Sequence, residues 1–368
     1  MSYSENLFIP QMLSPAAYEM GRYGRTPASH FYGLPNISVP LAEVRAKGYN
    51  LPIFLSYNAG GNRPEQHPGW AGLGWSLHAG GSIVRVINGM KDEMSSIEYE
   101  SLLEPGGISP SSDPGYLYHI GEVQSETDWD NGATLAQKSI PWREYEPDEY
   151  IINVDGIHAS FFITGDNEIS IVSKDESSFE LESYDIGSDD YYTALDMYSG
   201  RTSRVVKARR YKYLKRFVIR DKNGNRYIFG GDDSAIEYSV VQHAVWNPTG
   251  NSATWKAIAT ANAWMLTKIE RADGEVITFE YEKNGVPIVL RDIHHGELFV
   301  EDGTNPYTYD TDTYRDSING RKSNLNFHFL IPSYLKSISC LLSGDELTFT
   351  SSDSVELPCS FTEADFKK

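Results

Sequence analysis

The chain has little cysteine and no long apolar run. Its 368 residues include two cysteines, Cys340 and Cys359. They exclude a disulfide framework, although a single bridge can form if two strands bring both thiols together in an oxidising compartment. No apolar run reaches about 18 residues, so no membrane-spanning helix is expected. The first 22 residues also lack the basic head and apolar core of a signal peptide.

Motifs for catalysis and cofactor binding are incomplete. Gly72 and Gly74 begin a dinucleotide-type pattern, but Leu77 stands where the third glycine belongs. Ser76 fails the nucleophile-elbow pattern, because His78 replaces its second glycine. The nine histidines contain no His-Glu-x-x-His arrangement, and the two cysteines are too far apart for a zinc site. We therefore predict a protein that is not an enzyme, with no catalytic residue and no cofactor.

The alternative to a protein without a bound metal is a calcium site in the acidic loops. Calcium binds several oxygen ligands, and loops rich in aspartate can supply them. None of the loops has the spacing of a recognised calcium loop, and no single pair of carboxylates stands out for glycoside hydrolysis. The loops concerned are Asp310-x-Asp312 with Asp316, Asp189-Asp190 and Asp232-Asp233.

Basic residues are scarce in one long part of the chain. The formal charge is −19, and residues 92–200 contain 25 Asp and Glu against 3 Lys and Arg. Nucleic acid is an unsuitable partner for this block, because binding the phosphate backbone depends on Lys and Arg. Ten Lys and Arg then follow within Arg201–Lys222. A basic stripe with aromatics can bind single-stranded nucleic acid. The acidic block that precedes this stripe instead favours pairing of the two charge blocks within the protein. The remaining acids of residues 92–200 are expected on a solvated surface.

What the chain has in abundance is turn formers and tyrosine. With 31 Gly and 24 Tyr, we predict an all-β fold of antiparallel hairpins and meanders with few short helices, forming a large curved sheet, a sandwich or part of a β shell. Prolines make residues 1–40 an extended arm. Strands are predicted at 41–57 and 82–88, an irregular excursion at 92–142, and a meander within 150–172.

Three segments in the second half repeat a strand, a glycine turn and a strand. They are residues 213–229, 264–279 and 334–349. Asn223-Gly224 and Asp273-Gly274 are signals for tight primed turns, which need positive φ. The three segments are not spaced at a fixed interval along the chain, which excludes a regular solenoid. We interpret these hairpins as the architectural core, with residues 153–161 as a weaker fourth copy.

An aromatic and glycine corner lies between two predicted strands. We expect Trp70 and Trp75 to fill space beside glycine backbone and lock the corner. The alternative is an aromatic platform for a sugar ring. The structural motif comprises Trp70, Gly72, Gly74, Trp75, Gly80 and Gly81.

This corner carries a resemblance to a known family. Leu55-Ser-Tyr-Asn58, then Gly72-Leu-Gly-Trp-Ser-Leu77 and Gly80-Gly-Ser-Ile-Val-Arg85, resemble the N-terminal region of Bacteroidetes-type RHS/YD-repeat proteins. They are similar, more loosely, to the Salmonella virulence plasmid B-like domain of insecticidal toxin complex B components. The resemblance implies an exported, secreted or cell-surface protein. It also implies a non-catalytic domain of a β shell that encloses or presents a C-terminal payload.

The sequence also suggests a division of the chain and its partners. We predict an arm with the corner strands at 1–91, an acidic excursion with a meander at 92–200, and irregular hairpin repeats at 201–368, or one continuous β domain. The expected partner is the remainder of the protein's own RHS/YD-repeat chain. The alternative function is a surface carbohydrate-binding or adhesion module, or a glycan-active enzyme, with a surface glycan as its partner.

Overall fold

The structure is a computed structural model, and its described residues fall into two compact units. The first unit comprises the described residues of Met1–Glu43 and Leu51–Ala79, and the second those of Val44–Asn50 and Gly80–Lys368. Of the predicted arm at 1–40, residues 1–36 lie outside the described residues, while 37–40 belong to a paired strand. The described residues are 37–57, 71–72, 74–102, 112–120, 144–154, 157–165, 168–172, 178–192, 196–199, 202–205, 208–247, 252–283, 288–294 and 324–350.

The first three described strands form one sheet, in the order β1-β2-β3. They are β1 (Ile37–Ala46), β2 (Tyr49–Tyr57) and β3 (Trp75–His78). The antiparallel pairing of β2 with β3 places Tyr57 opposite Trp75 and Phe54 opposite His78. These pairs confirm a strand directly before the corner. The predicted strand at 41–57 is nevertheless wrong as one element, because the chain turns at Lys47-Gly48, where Gly48 has φ of 70°, and forms two paired strands.

The second unit contains the remaining elements of the described residues. Its described helical segments are α1 (Ser96–Leu102) and two 3-10 turns, Tyr116–Tyr118 and Asp233–Ala235. Its strands are β4 (Ser82–Val86), β5 (Glu149–Val154), β6 (Ile157–Gly165), β7 (Glu168–Val172), β8 (Phe179–Gly187), β9 (Asp190–Tyr192), β10 (Asp196–Ser199), β11 (Thr202–Val205), β12 (Ala208–Arg210), β13 (Tyr213–Asp221), β14 (Arg226–Gly230), β15 (Ile236–Asn247), β16 (Ser252–Glu270), β17 (Val276–Glu282), β18 (Ile288–His294), β19 (Asn324–Ile331), β20 (Tyr334–Cys340) and β21 (Glu346–Thr348).

Strand β16 organises the second unit. It has 19 residues and pairs with β4, β12, β14, β15 and β17. Among the described residues, 16 strands join into one sheet around it. The pairing is antiparallel except where β12 meets β16. The prediction of an all-β fold with a large antiparallel sheet is confirmed.

The sheet curls around an aromatic core. On one side of β16 the strand order is β4-β5-β6-β7, and on the other it is β14-β13-β8. Strand β7 lies next to β8, which nearly closes the ring of strands. Tyr150, Phe161, Phe217 and Trp264 pack inside it, with ring centroids 4.9–6.4 Å apart. The interior of this ring is therefore filled by side chains.

The period of two in the sequence explains which residues reach this core. In β5, Tyr150 and Ile152 are buried while Ile151 between them is exposed. Strand β6 alternates in the same way. The predicted meander β5-β6-β7 is confirmed by its antiparallel registers, and its Asp155-Gly156 turn lies outside the described residues.

The three predicted hairpins lie side by side. The order β8-β13-β14-β16-β17-β20-β21 places the hairpins β13-β14, β16-β17 and β20-β21 next to each other in chain order. One detail of the prediction is wrong. Asp221 N–H donates to Asn225 O and Gly224 N–H to Asp221 O, so the first turn has one extra residue. This is a bulged turn with positive φ at Gly224, and no primed two-residue turn.

The hairpin at Gly274 has the same form. Arg271 N–H donates to Glu275 O, and Gly274 N–H donates to Arg271 O. The prediction of a primed turn is therefore wrong here too. A type I turn fits the right-handed twist of the strands only when such a bulge follows it, which explains the extra residue.

The acidic excursion is more ordered than the sequence indicated. Residues 92–142 were expected to be irregular, but α1 and the 3-10 turn at Tyr116–Tyr118 lie within them. Side chains cap the start of α1, since Ser95 Oγ accepts from Glu98 N–H and Asp113 Oδ1 accepts from Ser96 N–H. The 3-10 turn has no side-chain cap at its start. None of the helices that the described ranges contain is long and apolar enough to cross a membrane.

Candidate functional site

The corner motif is divided between the two units. Trp70 lies outside the described residues. Gly72 and Gly74 have φ of 104° and 76°, and Trp75 N–H donates to Gly72 O at 3.3 Å. Trp75 is half-buried, and its ring packs against Tyr57 with centroids 5.1 Å apart. Trp75 thus supports the turn, while the role of the whole motif stays a prediction.

Gly80 and Gly81 belong to the second unit, where they allow a close approach. Gly80 has φ of 144°. A Cβ on Gly81 would lie 2.6 Å from Asn153 O and 2.8 Å from Val154 Cβ. Gly81 is therefore required by space, because β5 passes directly over its backbone.

His78 is engaged in packing and in one polar contact. Its ring stacks on Phe54 with centroids 4.4 Å apart, and its Nε2 lies 2.7 Å from Ser56 Oγ. Ser76 is exposed and lies opposite Ser56 in the register. The Ser76 and His78 pair of the sequence is thus not brought together as a described contact.

The basic stripe pairs with the acidic block as predicted. Strand β13 lies antiparallel to β8, which brings the two charge blocks face to face. Four ion pairs between guanidinium and carboxylate atoms confirm the internal charge pairing of Arg201–Lys222. They are Arg209 with Asp189 at 3.6 Å, Arg216 with Asp185 at 2.8 Å, Arg220 with Glu182 at 2.8 Å, and Arg210 with Asp190.

Arg210 lies at the centre of a polar cleft of about 420 Å³. Its guanidinium donates to both carboxylate oxygens of Asp190 and, at 2.6 Å, to Asp233 Oδ1. Burial lowers the pKa of Arg210, but the hydrogen bonds that it donates to Asp190 and Asp233 outweigh this effect and raise the pKa. These aspartates, which the sequence marked as calcium candidates, therefore bind an arginine in this structure.

The cleft has no open aromatic face for a sugar among its described lining residues. Tyr213 lines it, but the Arg210 guanidinium carbon lies 4.3 Å from its ring centroid. Burial raises the pKa of Tyr213 to about 12, since it disfavours the phenolate. No group of three metal-binding side chains occurs among the described residues, and Asp310, Asp312 and Asp316 lie outside them.

Cys340 is buried. It has no disulfide partner among the described residues, and Cys359 lies outside them. Lys283 is half-buried, and its Nζ lies 5.5 Å from the ring centroid of Tyr238, whose hydroxyl accepts from Arg210 of the cleft. Lys283 Nζ donates to Ile236 O at 2.7 Å and to Ser333 Oγ at 3.2 Å. Burial lowers the pKa of Lys283 to about 8, although Glu237 opposes the shift. Its backbone contacts join β15 to the turn between β19 and β20.

The densest group of charges is one that the sequence did not indicate. The acids after residue 91 were expected on a solvated surface, but Asp92, Glu93, Glu98 and Asp148 are buried. We call this group the Asp92 cluster, which comprises Arg85, Lys91, Asp92, Glu93, Glu98, Asp148 and Tyr150. That part of the surface prediction is wrong, because Glu93 and Glu98 pair with Arg85 and Lys91 inside the fold, and Asp92 accepts hydrogen bonds from Asp148 N–H and the Tyr150 hydroxyl.

Arg85 anchors the cluster from strand β4. Its Nη1 lies 2.7 Å from Glu93 Oε2 and 3.7 Å from Asp148 Oδ2, and its Nη2 donates to Ala261 O at 2.5 Å. Burial alone would raise the pKa of Glu93, but the charges of Arg85 and Lys91 hold it below its usual range. A signal was present in the sequence, since the period of two places Arg85 on the same face as buried Ile83.

Asp92 and Asp148 hold each other's backbone. Asp92 N–H donates to Asp148 Oδ2 at 3.1 Å, and Asp148 N–H donates to Asp92 Oδ1 at 2.9 Å. Tyr150 hydroxyl donates to Asp92 Oδ2 at 2.8 Å. Burial and the neighbouring carboxylate raise the pKa of Asp92 to about 7, and burial raises that of Asp148 to about 6 against the charge of Arg85.

The likenesses of this chain to the solved structures described below are weak. No protein-family model and no curated protein matches the chain. The crystal structure of TcdB2-TccC3 is similar over 93% of this chain and 11% of that chain, with 14% identity and a TM-score of 0.30. A mutant Tc holotoxin pore from Photorhabdus luminescens is similar over 84% of this chain and 9% of that chain, with 14% identity and a TM-score of 0.27.

These neighbours are components of Tc toxins, and the chain spans about a tenth of their length. Values this low establish neither a family nor a function. The resemblance to Bacteroidetes-type RHS/YD-repeat proteins accordingly remains a hypothesis.

Proposed function

We propose that this chain is a non-catalytic structural domain of an exported RHS/YD-repeat protein, secreted or displayed at the cell surface. In this role it forms part of a β shell that encloses or presents a C-terminal payload. Its partner is the remainder of its own chain. The proposal rests on the way in which the hairpins are laid down.

The hairpins add to the sheet in chain order and end at an edge. Of the three hairpins, each one after the first pairs with the hairpin before it, and β21 is the last strand of this series. Among the described residues, β21 pairs with β20 alone. An open edge presents unpaired N–H and C=O groups to another strand. A further hairpin of a longer chain can therefore pair with β21 and extend the sheet.

The described clusters of charge favour a structural role. Each of three cations contacts carboxylates that belong, like the cation itself, to the second compact unit. They are Arg85, Lys91 and Arg210. Arg85 and Lys91 also donate to backbone carbonyls. Such contacts join neighbouring segments of the sheet to one another, as the role of a structural domain in a β shell requires.

The hydrogen bonds of β21 define a sharp test. Phe349 N–H donates to Lys336 O, and Cys340 N–H donates to Asp345 O. In an antiparallel pair the direction alternates, so Thr348 N–H points away from β20. The substitution Thr348→Pro removes this outward donor and leaves the pairing with β20 in place.

The expected result depends on the length of the protein. In the complete natural chain, Thr348→Pro should expose the segments after β21 to limited proteolysis, because the next hairpin cannot join the sheet. In the 368-residue chain it should change the melting temperature little. The control is Lys222→Pro, at a turn position that accepts proline. Equal protease resistance of both complete variants, or a reading frame that ends near Lys368, would contradict the proposal.

A further inference from the structure

The Asp92 cluster contains more acid than base. Its two cations, Arg85 and Lys91, face four carboxylates, and the cluster is buried. Glu93 is paired with Arg85 at 2.7 Å, and Glu98 with Lys91 at 2.6 Å. Asp92 and Asp148 are the carboxylates left in excess. Two neighbouring carboxylates in a dry site cannot both ionise without a large electrostatic cost, so the pair retains a proton near neutral pH.

The same two residues join the ends of the acidic excursion. Residues 88–95 lead into it and residues 144–148 follow it, and we call these two segments the base of the excursion. Besides the exchange between Asp92 and Asp148, Asn88 N–H donates to Asp148 Oδ1 at 2.9 Å. Met90 N–H donates to Glu144 Oε2 at 2.8 Å. The Asp92 and Asp148 carboxylates thus hold the segments that enter and leave the excursion together.

We propose that Asp92 and Asp148 form a proton-dependent clasp. With one proton held by the pair, on Asp92, the two segments of the base stay joined. When the medium becomes alkaline and that proton is lost, the two negative charges repel each other and the base loosens.

The hydrogen-bond pattern shows where the proton can reside. All four carboxylate oxygens of the pair accept a bond, three of them from backbone N–H groups, which cannot reverse direction. Asp92 Oδ2 instead accepts from the Tyr150 hydroxyl. A hydroxyl can rotate and become the acceptor when Asp92 Oδ2 is protonated. The clasp can therefore take up a proton without losing any of its backbone hydrogen bonds.

Every element around the pair contributes to its electrostatics. Strand β4 contributes Arg85 and β5 contributes Tyr150. The facing ionisable groups are Arg85, Lys91, Glu93, Glu98, Asp113, Tyr116, Tyr118, His119, Glu144, Tyr150 and Lys212. Lys212 and Asp113 pair with each other at 2.9 Å, and Tyr116 is near enough for Asp92 to raise its pKa after the effect of burial. Arg85 favours ionised Asp148, while Glu93 opposes ionisation of both aspartates.

The direction of the pH effect follows from the raised pKa of both aspartates. Asp92 and Asp148 bind protons more tightly when folded than when exposed to water, where an aspartate titrates near about 4. Their contribution is complete below about pH 4 and is lost as the pH rises through about 6 to about 7. Acid therefore closes the clasp and alkali loosens it.

Amide hydrogen exchange of the 368-residue chain tests the clasp. The reporters are the backbone amides of Asn88, Asp92 and Asp148, with protection factors corrected for the intrinsic pH dependence of exchange. We expect at least a roughly tenfold loss of protection between about pH 5 and about pH 8, because one proton is released per opening. Unchanged protection across this range would overturn the proposal.

Asparagine substitutions separate the clasp from other effects of pH. Asp92→Asn retains the acceptor for Asp148 N–H and resembles the protonated acid, so it should make protection at Asn88 and Asp148 independent of pH. The control Asp185→Asn alters an exposed ion pair with Arg216 and should leave the wild-type dependence intact. A full pH dependence in Asp92→Asn would refute the clasp.

A second variant and a direct titration cover the case in which Asp92→Asn does not fold. Asp148→Asn should flatten the profile in the same way. Carbon NMR of the aspartate side chains in the wild-type chain should show one carboxyl that titrates near neutral pH and is absent from Asp148→Asn or Asp92→Asn spectra. If every aspartate titrates below about pH 5, the clasp holds no proton and the proposal is wrong.

Discussion

Single glycines limit what this fold tolerates, for two different physical reasons. Gly81 lies too close to Asn153 O and Val154 for any side chain, and its φ is ordinary. Gly274 has φ of 87° with nothing within 4 Å of a built Cβ. Space therefore restricts the first position, and backbone conformation restricts the second.

We predict that Gly81→Ala destabilises the second unit by about 1–3 kcal/mol, because β5 must move to admit the methyl group. Gly274→Asn is the matched control, since asparagine enters the left-handed region at small cost. Urea unfolding followed by circular dichroism measures both. A Gly81→Ala variant as stable as the wild type would show that β5 does not pass this close to the backbone of Gly81.

Across neighbouring strands, charges of alternating sign form a ladder on the outer face of the sheet. Glu182 of β8 contacts Arg220 of β13 at 2.8 Å and Arg226 of β14 at 2.9 Å. Arg226 also contacts Glu270 of β16 at 2.5 Å. Arg220 and Arg226 lie directly opposite each other in the register. Glu182 thus separates two like charges, and the hydrogen bond from Arg226 lowers its pKa.

We predict that Glu182→Gln reduces the free energy of unfolding by up to about 1 kcal/mol, because it leaves the two arginines opposed. The loss should shrink as salt is added, since ions screen the repulsion at the surface. Denaturant melts at low and high salt measure the effect. Glu168→Gln on β7 removes the same charge elsewhere, and an equal loss in that variant would mean that net charge alone is responsible.

For the whole molecule, the pH dependence of stability reflects two opposing groups of acids. Glu93 and Asp113 have a lowered pKa in the fold, after the cations and hydrogen bonds around them overcome burial. Their contribution is present above the unfolded pKa and is lost as the pH falls below about 4. Asp92 and Asp148 have a raised pKa and act in the opposite direction.

We therefore predict that the chain is more stable at about pH 5 than at about pH 8, because Asp92 and Asp148 lose their protons between these values. Chemical unfolding across this range measures the profile. In the Asp148→Asn variant the decline toward pH 8 should be smaller. A wild-type stability that increases steadily from about pH 5 to about pH 8 would contradict the assignment of raised pKa values.

Much of the fold was predictable because its signals are local. The alternation in β5 and β6 and the glycines at 224 and 274 depend on neighbours within a few residues, so strands and hairpins follow from them. The turn type was wrong because the extra residue at Asn225 depends on how the strands twist. Burial of Asp92 was missed because an acid-rich stretch gives no local sign of its partner.

The sequence by itself determined the all-β class, the hairpin units and the opposite charges of residues 92–200 and 201–222, since composition and a period of two carry that information. Only the tertiary structure decided which of those charges are buried together. Arg85 and Asp148 are far apart in the chain, and strand pairing of β4 with β5 brings them within 3.7 Å. Their proximity is a property of the register, because a shift by one residue would turn Arg85 to the other face of the sheet.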